Sequence, residues 1–284
     1  MRQSLTGFVP FLLVPAMALA MPLTAAADDH SDAIEAAVAG EHRTPEFVER
    51  DVFRHPAATL AFFDVEPGQV IVEIWPGGGW YTEVLAPITA GKSGVVEEGQ
   101  LYAAAFSDTA PNQPDYRERL NRTLRDKIAS DADVYANVTV TNFHPPEETD
   151  IAPAASADRV LTFRNVHNFV SAGTAESAFK AFFKALKPGG ILGVVDHRAK
   201  PGTDFETMKR SGYVTEALVK EIAENAGFEF VAASEVNANP KDTADHPRGV
   251  WTLPPSLRLG EEDREKYLAI GESDRMTLKF RKPE

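Results

Sequence analysis

From residue 28 onward the chain alternates between two hydrophobic rhythms. Short, dense runs of β-branched and apolar residues recur at Gln69 to Trp75 (QVIVEIW), Gln100 to Phe106, Val138 to Phe143 and Arg159 to Phe163, then at Ile191 to Val195, Phe228 to Ser234 and Met276 to Arg281. Runs of this length and density read as strands buried on both faces. Between them lie stretches with helical spacing. These are Ser31 to Ala39, Thr44 to Phe63 (broken at Pro56), Trp80 to Ile88, Asp115 to Ala129, a stripe of Phe179, Phe182, Phe183 and Leu186 behind a capping Thr174, and a stripe of Val214, Leu218 and Ile222 closed by Gly227. Strands alternating with helices predict an α/β fold, a mostly parallel sheet of Rossmann type with helices on both faces.

The first 27 residues follow a different pattern. Arg2 precedes an apolar run from Gly7 to Ala20, and small residues follow, with Ala25 and Ala27 where a signal peptidase needs them. Residues 1–27 read as a signal peptide cut before Asp28, which leaves no stable membrane span and sends residues 28–284 to the periplasm or the exterior. An uncleaved anchor is the competing reading, and Pro10, Pro15 and Pro22 interrupt it.

Composition removes several function classes. The 284 residues include no Cys, so thiolate catalysis, Cys-ligated metals and disulfides are excluded. A formal net charge of −13 opposes general nucleic-acid binding, which needs Lys and Arg against phosphate. A small-molecule partner is expected; the oligomeric state is left open.

In open α/β sheets ligands bind beyond the carboxyl ends of the strands, where the strand order reverses. Candidate site residues are therefore those just after each strand. Gly77, Gly78 and Gly79 follow the first, with Glu73 inside it; glycines there let the backbone approach a ligand and aim helix N–H groups at it. Their spacing matches neither the dinucleotide fingerprint nor a P-loop: Gly91-Lys92-Ser93 has the right ending but Ala86 stands where the first glycine belongs. Arg164, Asn165, His167 and Asn168 follow the fourth strand, and Asp196, His197 and Arg198 the fifth.

The segments VIVEIWPGGGWYTEVLAP (Val70 to Pro87) and LKPGGILGVVD (Leu186 to Asp196) resemble class I S-adenosylmethionine-dependent methyltransferases, within them a branch of exported, predicted methyltransferases. The resemblance extends over nearly all of residues 28–284. It implies a seven-stranded sheet ending in an antiparallel strand, and S-adenosylmethionine as cofactor. It also implies Glu73 near the methionine amine, and Gly77 and Gly79, with Gly78 between them, beside the cofactor. The chain departs from the family at Trp75, where the first glycine belongs, and at Ala105-Phe106, where a ribose-binding carboxylate is usual; Asp108 is the nearby substitute.

Histidine titrates nearest neutral pH and is the natural base for a hydroxyl, amine or thiol acceptor. His197 and His167 are thus the catalytic candidates, with Asp196 to orient one of them and Asn165 beside them. Arg198 is expected to hold a substrate carboxylate through its paired donors. Asp196, Asn165 and a His could also hold a metal, but the seven scattered His show no His-rich ligand framework. Residues 237–274, long for a hairpin, are expected to form a substrate lid bringing His246 and Trp251 to the site, and His55, at the end of a helix that in the fold the resemblance implies usually covers the cofactor cleft, is a further substrate-binding candidate. The alternative to a methyltransferase is a non-catalytic ligand-binding protein on the same scaffold.

Overall fold

The computed structural model describes residues 1, 25–91 and 99–284, with side chains from Ser31 onward in the first helix. The expected leader lies outside the described residues except for Met1 and the beginning of helix α1 (Ala25–Val38), which runs through the expected cleavage point. Among the described residues no helix is long and apolar enough to cross a membrane.

Seven strands form one sheet: β1 (Val70–Ile74), β2 (Gln100–Phe106), β3 (Val138–Phe143), β4 (Ala157–Phe163), β5 (Leu186–His197), β6 (Glu229–Ser234) and β7 (Arg275–Arg281), in the order β3-β2-β1-β4-β5-β7-β6. Pairs from β3 through β5 are parallel; β7 runs antiparallel between β5 and β6. This is the Rossmann-like sheet that the alternating pattern predicts.

The period of two along each strand divides its side chains between two cores. Ile71 joins Phe63, Val84 and Leu85 on one face, while Val72 and Ile74 join Phe169, Phe179 and Phe182 on the other. The first face is covered by α1 and by three short helices, α2 (Pro45–Val48), α3 (Asp51–Arg54) and α4 (Pro56–Phe62), together with α5 (Thr82–Thr89). Alongside β2 lie α6 (Asp115–Ser130) and α7 (Ala132–Tyr135). The second face carries α8 (Val166–Ala172), α9 (Ala175–Ala185), α10 (Phe205–Ser211) and α11 (Glu216–Asn225).

Several local details differ from the pattern expected. The segment 44–63, opened by Pro45, breaks twice: at Glu49–Arg50 between α2 and α3, and at His55, left-handed at φ 42°, after which Pro56 opens α4. Thr174 makes no side-chain cap on α9, whereas Thr215 caps α11 through Leu218 N (3.2 Å). That cap starts α11 at Glu216, and the fully buried stripe becomes Val219 and Ala223, flanked by Leu218 and Ile222. The Lys187-Pro188-Gly189-Gly190 turn is absorbed into β5, since Gly189 N donates to Lys282 O and Lys282 N to Gly190 O (both 2.9 Å).

Between β6 and β7 the chain forms a 3₁₀ turn (Gly249–Thr252) and α12 (Arg264–Ile270). This insertion is packed onto the sheet's carboxyl edge. Gly249 has φ +57°, and a Cβ there would approach the Ser211 backbone to 2.1 Å, whereas one at Gly260 (φ +63°) would meet nothing within 4 Å. Gly249→Ala is therefore expected to destabilise the protein by about 2–4 kcal/mol in urea unfolding, and Gly260→Ala by about 1, the strain of the left-handed backbone alone. Equal losses would contradict the close seating of the insertion on α10.

Candidate active site

The strand order reverses between β1 and β4, so the carboxyl ends of these two strands and of β5 define the cleft. Asn165 lies between β4 and α8 and donates from Nδ2 to Ile74 O (2.7 Å), tying the β4–α8 turn to the last residue of β1. His167 lies in the first turn of α8. Asp196, fully buried near the end of β5, receives three N–H donors: His167 N on Oδ2 (3.0 Å), and His197 N (2.7 Å) and His167 Nδ1 (2.8 Å) on Oδ1. A carboxylate facing Nδ1 fixes the proton there and leaves Nε2 as the basic nitrogen of His167. The His197 ring lies 5.0 Å from that of His167, with its Nδ1 2.5 Å from Ser273 Oγ in the insertion. Burial, then the neighbouring His167 and the charges of Arg164, Arg275 and Arg54, hold His197 well below its usual range, so it is neutral at neutral pH.

His167, Asp196 and His197 each offer a ligand atom within 4.8 Å of the others. The carboxylate oxygens are already engaged by N–H donors, so the arrangement is a hydrogen-bonded pair with a second imidazole beside it. A cation would have to displace those donors.

At the end of β1, Trp75 is left-handed (φ 44°) and turns its ring across the ends of the neighbouring strands. Its Nε1 donates to Phe143 O of β3 (2.9 Å), and its ring contacts Phe106 (4.9 Å) and Phe169 (4.5 Å). The Arg117 guanidinium lies 4.8 Å above both Trp75 and Phe106. Beyond Trp75 the chain makes the glycine turn, with Gly77 at φ +62° and Gly79 at φ +92°.

The insertion brings Trp251 against His167 (6.3 Å between rings). His246 turns inward, bonding Asp242 Oδ1 through Nε2 (2.8 Å). Arg198 is fully engaged: it pairs bidentately with Asp274 (2.8 and 2.9 Å) and with Glu235 (both 2.8 Å), and reaches Glu216 at 3.3 Å. His55 is exposed at the α3–α4 junction, with no hydrogen bond from its ring among the described residues. Thus Asn165, His167, Asp196, His197 and Trp251 come together, while Arg198, His246 and His55 do not join them.

Sequence reasoning passed over Glu272 and Ser273, because both belong to the insertion and become neighbours of β5 only through the β5–β7 pairing. The signal available was the charged run Glu272, Asp274 and Arg275 just before an apolar strand.

No family model and no curated protein sequence matches the chain. Solved structures do match, over most of its length. A putative sarcosine dimethylglycine methyltransferase from Galdieria sulphuraria matches with TM-score 0.55 and 15% identity, covering 90% of this chain and 98% of that one. A SAM-dependent methyltransferase from Aquifex aeolicus matches at 0.51 and 18%, covering 73% and 93%. A phosphoethanolamine N-methyltransferase from Haemonchus contortus, in complex with S-adenosyl-L-methionine, matches at 0.52 and 16%, covering 89% of this chain and 57% of that one. The chain has the class I methyltransferase fold.

In a methyltransferase of this fold the glycine turn and the residues around it would meet the cofactor. A Cβ at Gly77 would meet nothing within 4 Å, so the turn leaves open room beside it. The aromatic face of Trp75 and Phe106 already carries the flat guanidinium of Arg117, and a planar base could stack there in its place. These features fit S-adenosylmethionine. Glu73, which the methyltransferase resemblance implies, and Asp108, the nearby substitute for the missing carboxylate, are turned elsewhere. Asp108 pairs with Arg125 (3.0 and 2.5 Å) and accepts from Asn121 Nδ2 (3.1 Å). Glu73 accepts from Thr82 Oγ1 (2.6 Å) inside the sheet–α5 contact.

Burial drives the Glu73 carboxyl up to about 8, against the smaller opposing pull of the Thr82 hydrogen bond. Between about 4.5, its ordinary value, and about 8 the folded protein keeps a proton that the unfolded chain has lost, so stability falls as pH rises through that window. Glu73→Gln, which can still accept from Thr82, should match the parent at pH 4.5 and exceed it by roughly 2–4 kcal/mol at pH 8 in denaturant titrations. A pH-independent difference would show that Glu73 is ionised in the fold.

Proposed function

We propose that the protein is an S-adenosylmethionine-dependent methyltransferase acting on a small molecule outside the cytoplasm. The carrying observation is the Asp196–His167 pair at the reversal of strand order, across the Asn165–Ile74 tie from the glycine turn. Export is supported by the apolar run and small-residue end of residues 1–27.

When bound, the cofactor supplies an electrophilic methyl group on a sulfonium. This chain's residues do the rest. The glycine turn and the Trp75–Phe106 face hold the donor. His167 Nε2 accepts the proton of the acceptor's hydroxyl, amine or thiol, while Asp196 keeps the other ring nitrogen protonated and steadies the imidazolium that forms. His197, neutral and bound to Ser273, is a second polar wall. Trp251 covers His167 and helps to exclude water from the aligned pair.

Calorimetry on the folded protein should show binding of S-adenosylmethionine and of S-adenosylhomocysteine; no heat with either defeats this reading. With labelled S-adenosylmethionine and a small-molecule extract as acceptor, Asp196→Asn should lower methyl transfer by about 10²-fold or more, with cofactor affinity within a few-fold of the parent.

A second reading is favoured by Trp75: a ligand-binding protein on this scaffold whose donor site is closed by the indole. The two make opposite forecasts. If Trp75 is a stacking wall, Trp75→Ala weakens S-adenosylhomocysteine binding and Arg117→Ala strengthens it. If Trp75 is a plug, the parent binds neither nucleoside and Trp75→Ala is the variant that gains affinity.

A further inference from the structure

Next to His197, on the face that carries α4 and α5, lies a small cavity of about 10 Å³ lined by Arg54, Tyr81, Phe163, Arg164, Asn237 and Arg275. Three guanidinium groups on one cavity wall would ordinarily be matched by carboxylates. Here Arg50, Arg54, Arg164 and Arg275 cluster around the single carboxylate of Glu272, with Asp196 as the next acidic neighbour of Arg164. Glu272 is held by Arg50 Nε (2.6 Å) and by Arg275, and Arg54 Nε reaches it only at 3.6 Å. Burial would raise this carboxyl, and the arginines overcome burial to hold it down at about 2.

The positive charge left over is not satisfied within the protein. Arg54 is 95% buried and lies over Trp80 (4.4 Å), yet its Nε and Nη2 have no hydrogen-bond partner; the same is true of Arg275 Nε. The Arg164 guanidinium, carried on a half-buried, left-handed residue (φ 62°) just after β4, makes no hydrogen bond among the described residues. Burial and the surrounding positive charge lower Arg54 well below its ordinary value, and burial brings Arg164 to about 10. Buried guanidinium donors left unpaired are expensive, and an anion placed between them relieves both the desolvation and the mutual repulsion.

We infer that this cavity binds the carboxylate of the acceptor substrate, forked by Arg164 and Arg54 beside the His167–His197 pair. The room is about that of one water, so a flat carboxylate enters with a small outward movement of these side chains, and a tetrahedral phosphate would need a larger one. The inference names the substrate class for the reading above, a small carboxylic acid with a nucleophilic atom a short distance from its acid group. The anion site itself does not depend on methyl transfer.

The test is thermal unfolding of the full chain with sodium acetate, sodium phosphate or sodium chloride at equal ionic strength. Acetate should raise the melting temperature along a saturating curve by 2 °C or more above chloride, and phosphate should behave as chloride does. Arg164→Gln should melt no lower than the parent in chloride, because it removes one like charge, and should lose the acetate response. Arg164→Lys keeps the charge without the fork, serves if the first variant does not fold, and should bind acetate at least threefold more weakly. An acetate response equal to chloride, a response to phosphate alone, or an undiminished response in a folded Arg164 variant would overturn the inference. Acetate binding together with no S-adenosylhomocysteine binding would keep this site and defeat methyl transfer.

Discussion

Asp196 is the constraint on which the candidate site depends. It lies at the end of a central strand with no exposure to solvent, where an ionised carboxylate is costly unless hydrogen-bonded. Its three N–H donors come from two places, the backbone of β5 itself and the first turn of α8. Satisfying the carboxylate therefore fixes the entry of α8, and with it the orientation of the His167 ring. Asn165, two residues earlier, binds the same corner to β1. The reversal of strand order becomes a rigid seam closed by polar side chains.

On the other side of His197 the electrostatics are the reverse. An acidic protein of net charge −13 gathers four arginines around one glutamate at the same edge. This local positive field contributes to keeping His197 uncharged, after burial and His167. Two neighbouring imidazoles thus have different environments: one pressed against a carboxylate, the other facing guanidinium groups and a serine hydroxyl. Environments that differ in this way are how one site assigns different proton roles to chemically identical groups.

Much of the fold could be read in the sequence. Strands such as VIVEI and the segment ending in VVDH are buried on both faces and have no competing periodicity, and the glycine run marks the first turn plainly. Carboxyl-edge placement followed from the alternation alone, which is why Asn165, His167, Asp196 and His197 could be grouped before any contact was known. The pairings among them could not. Asp196 turns to His167, 29 residues away, and Arg198 is spent on Glu216, Glu235 and Asp274, partners set by sheet order rather than by local spacing. Trp75 was legible as a departure from a glycine, but its packing on side chains from β2 and α8 and its bond to the end of β3 depend on tertiary geometry.

The pairing of β7 with β5 sets His197 opposite Arg275, with Glu272, Ser273 and Asp274 on the approach to that rung. Sliding the last strand by a single residue would turn Arg275 and Thr277 to the opposite face and withdraw the serine from the imidazole. The hydrogen-bond ladder of an antiparallel strand thus acts as a vernier for side chains that the loop before it merely delivers. The middle of that loop, with open space at Gly260, has room to lengthen or shorten, whereas the three-residue stub ahead of the final strand has no such latitude.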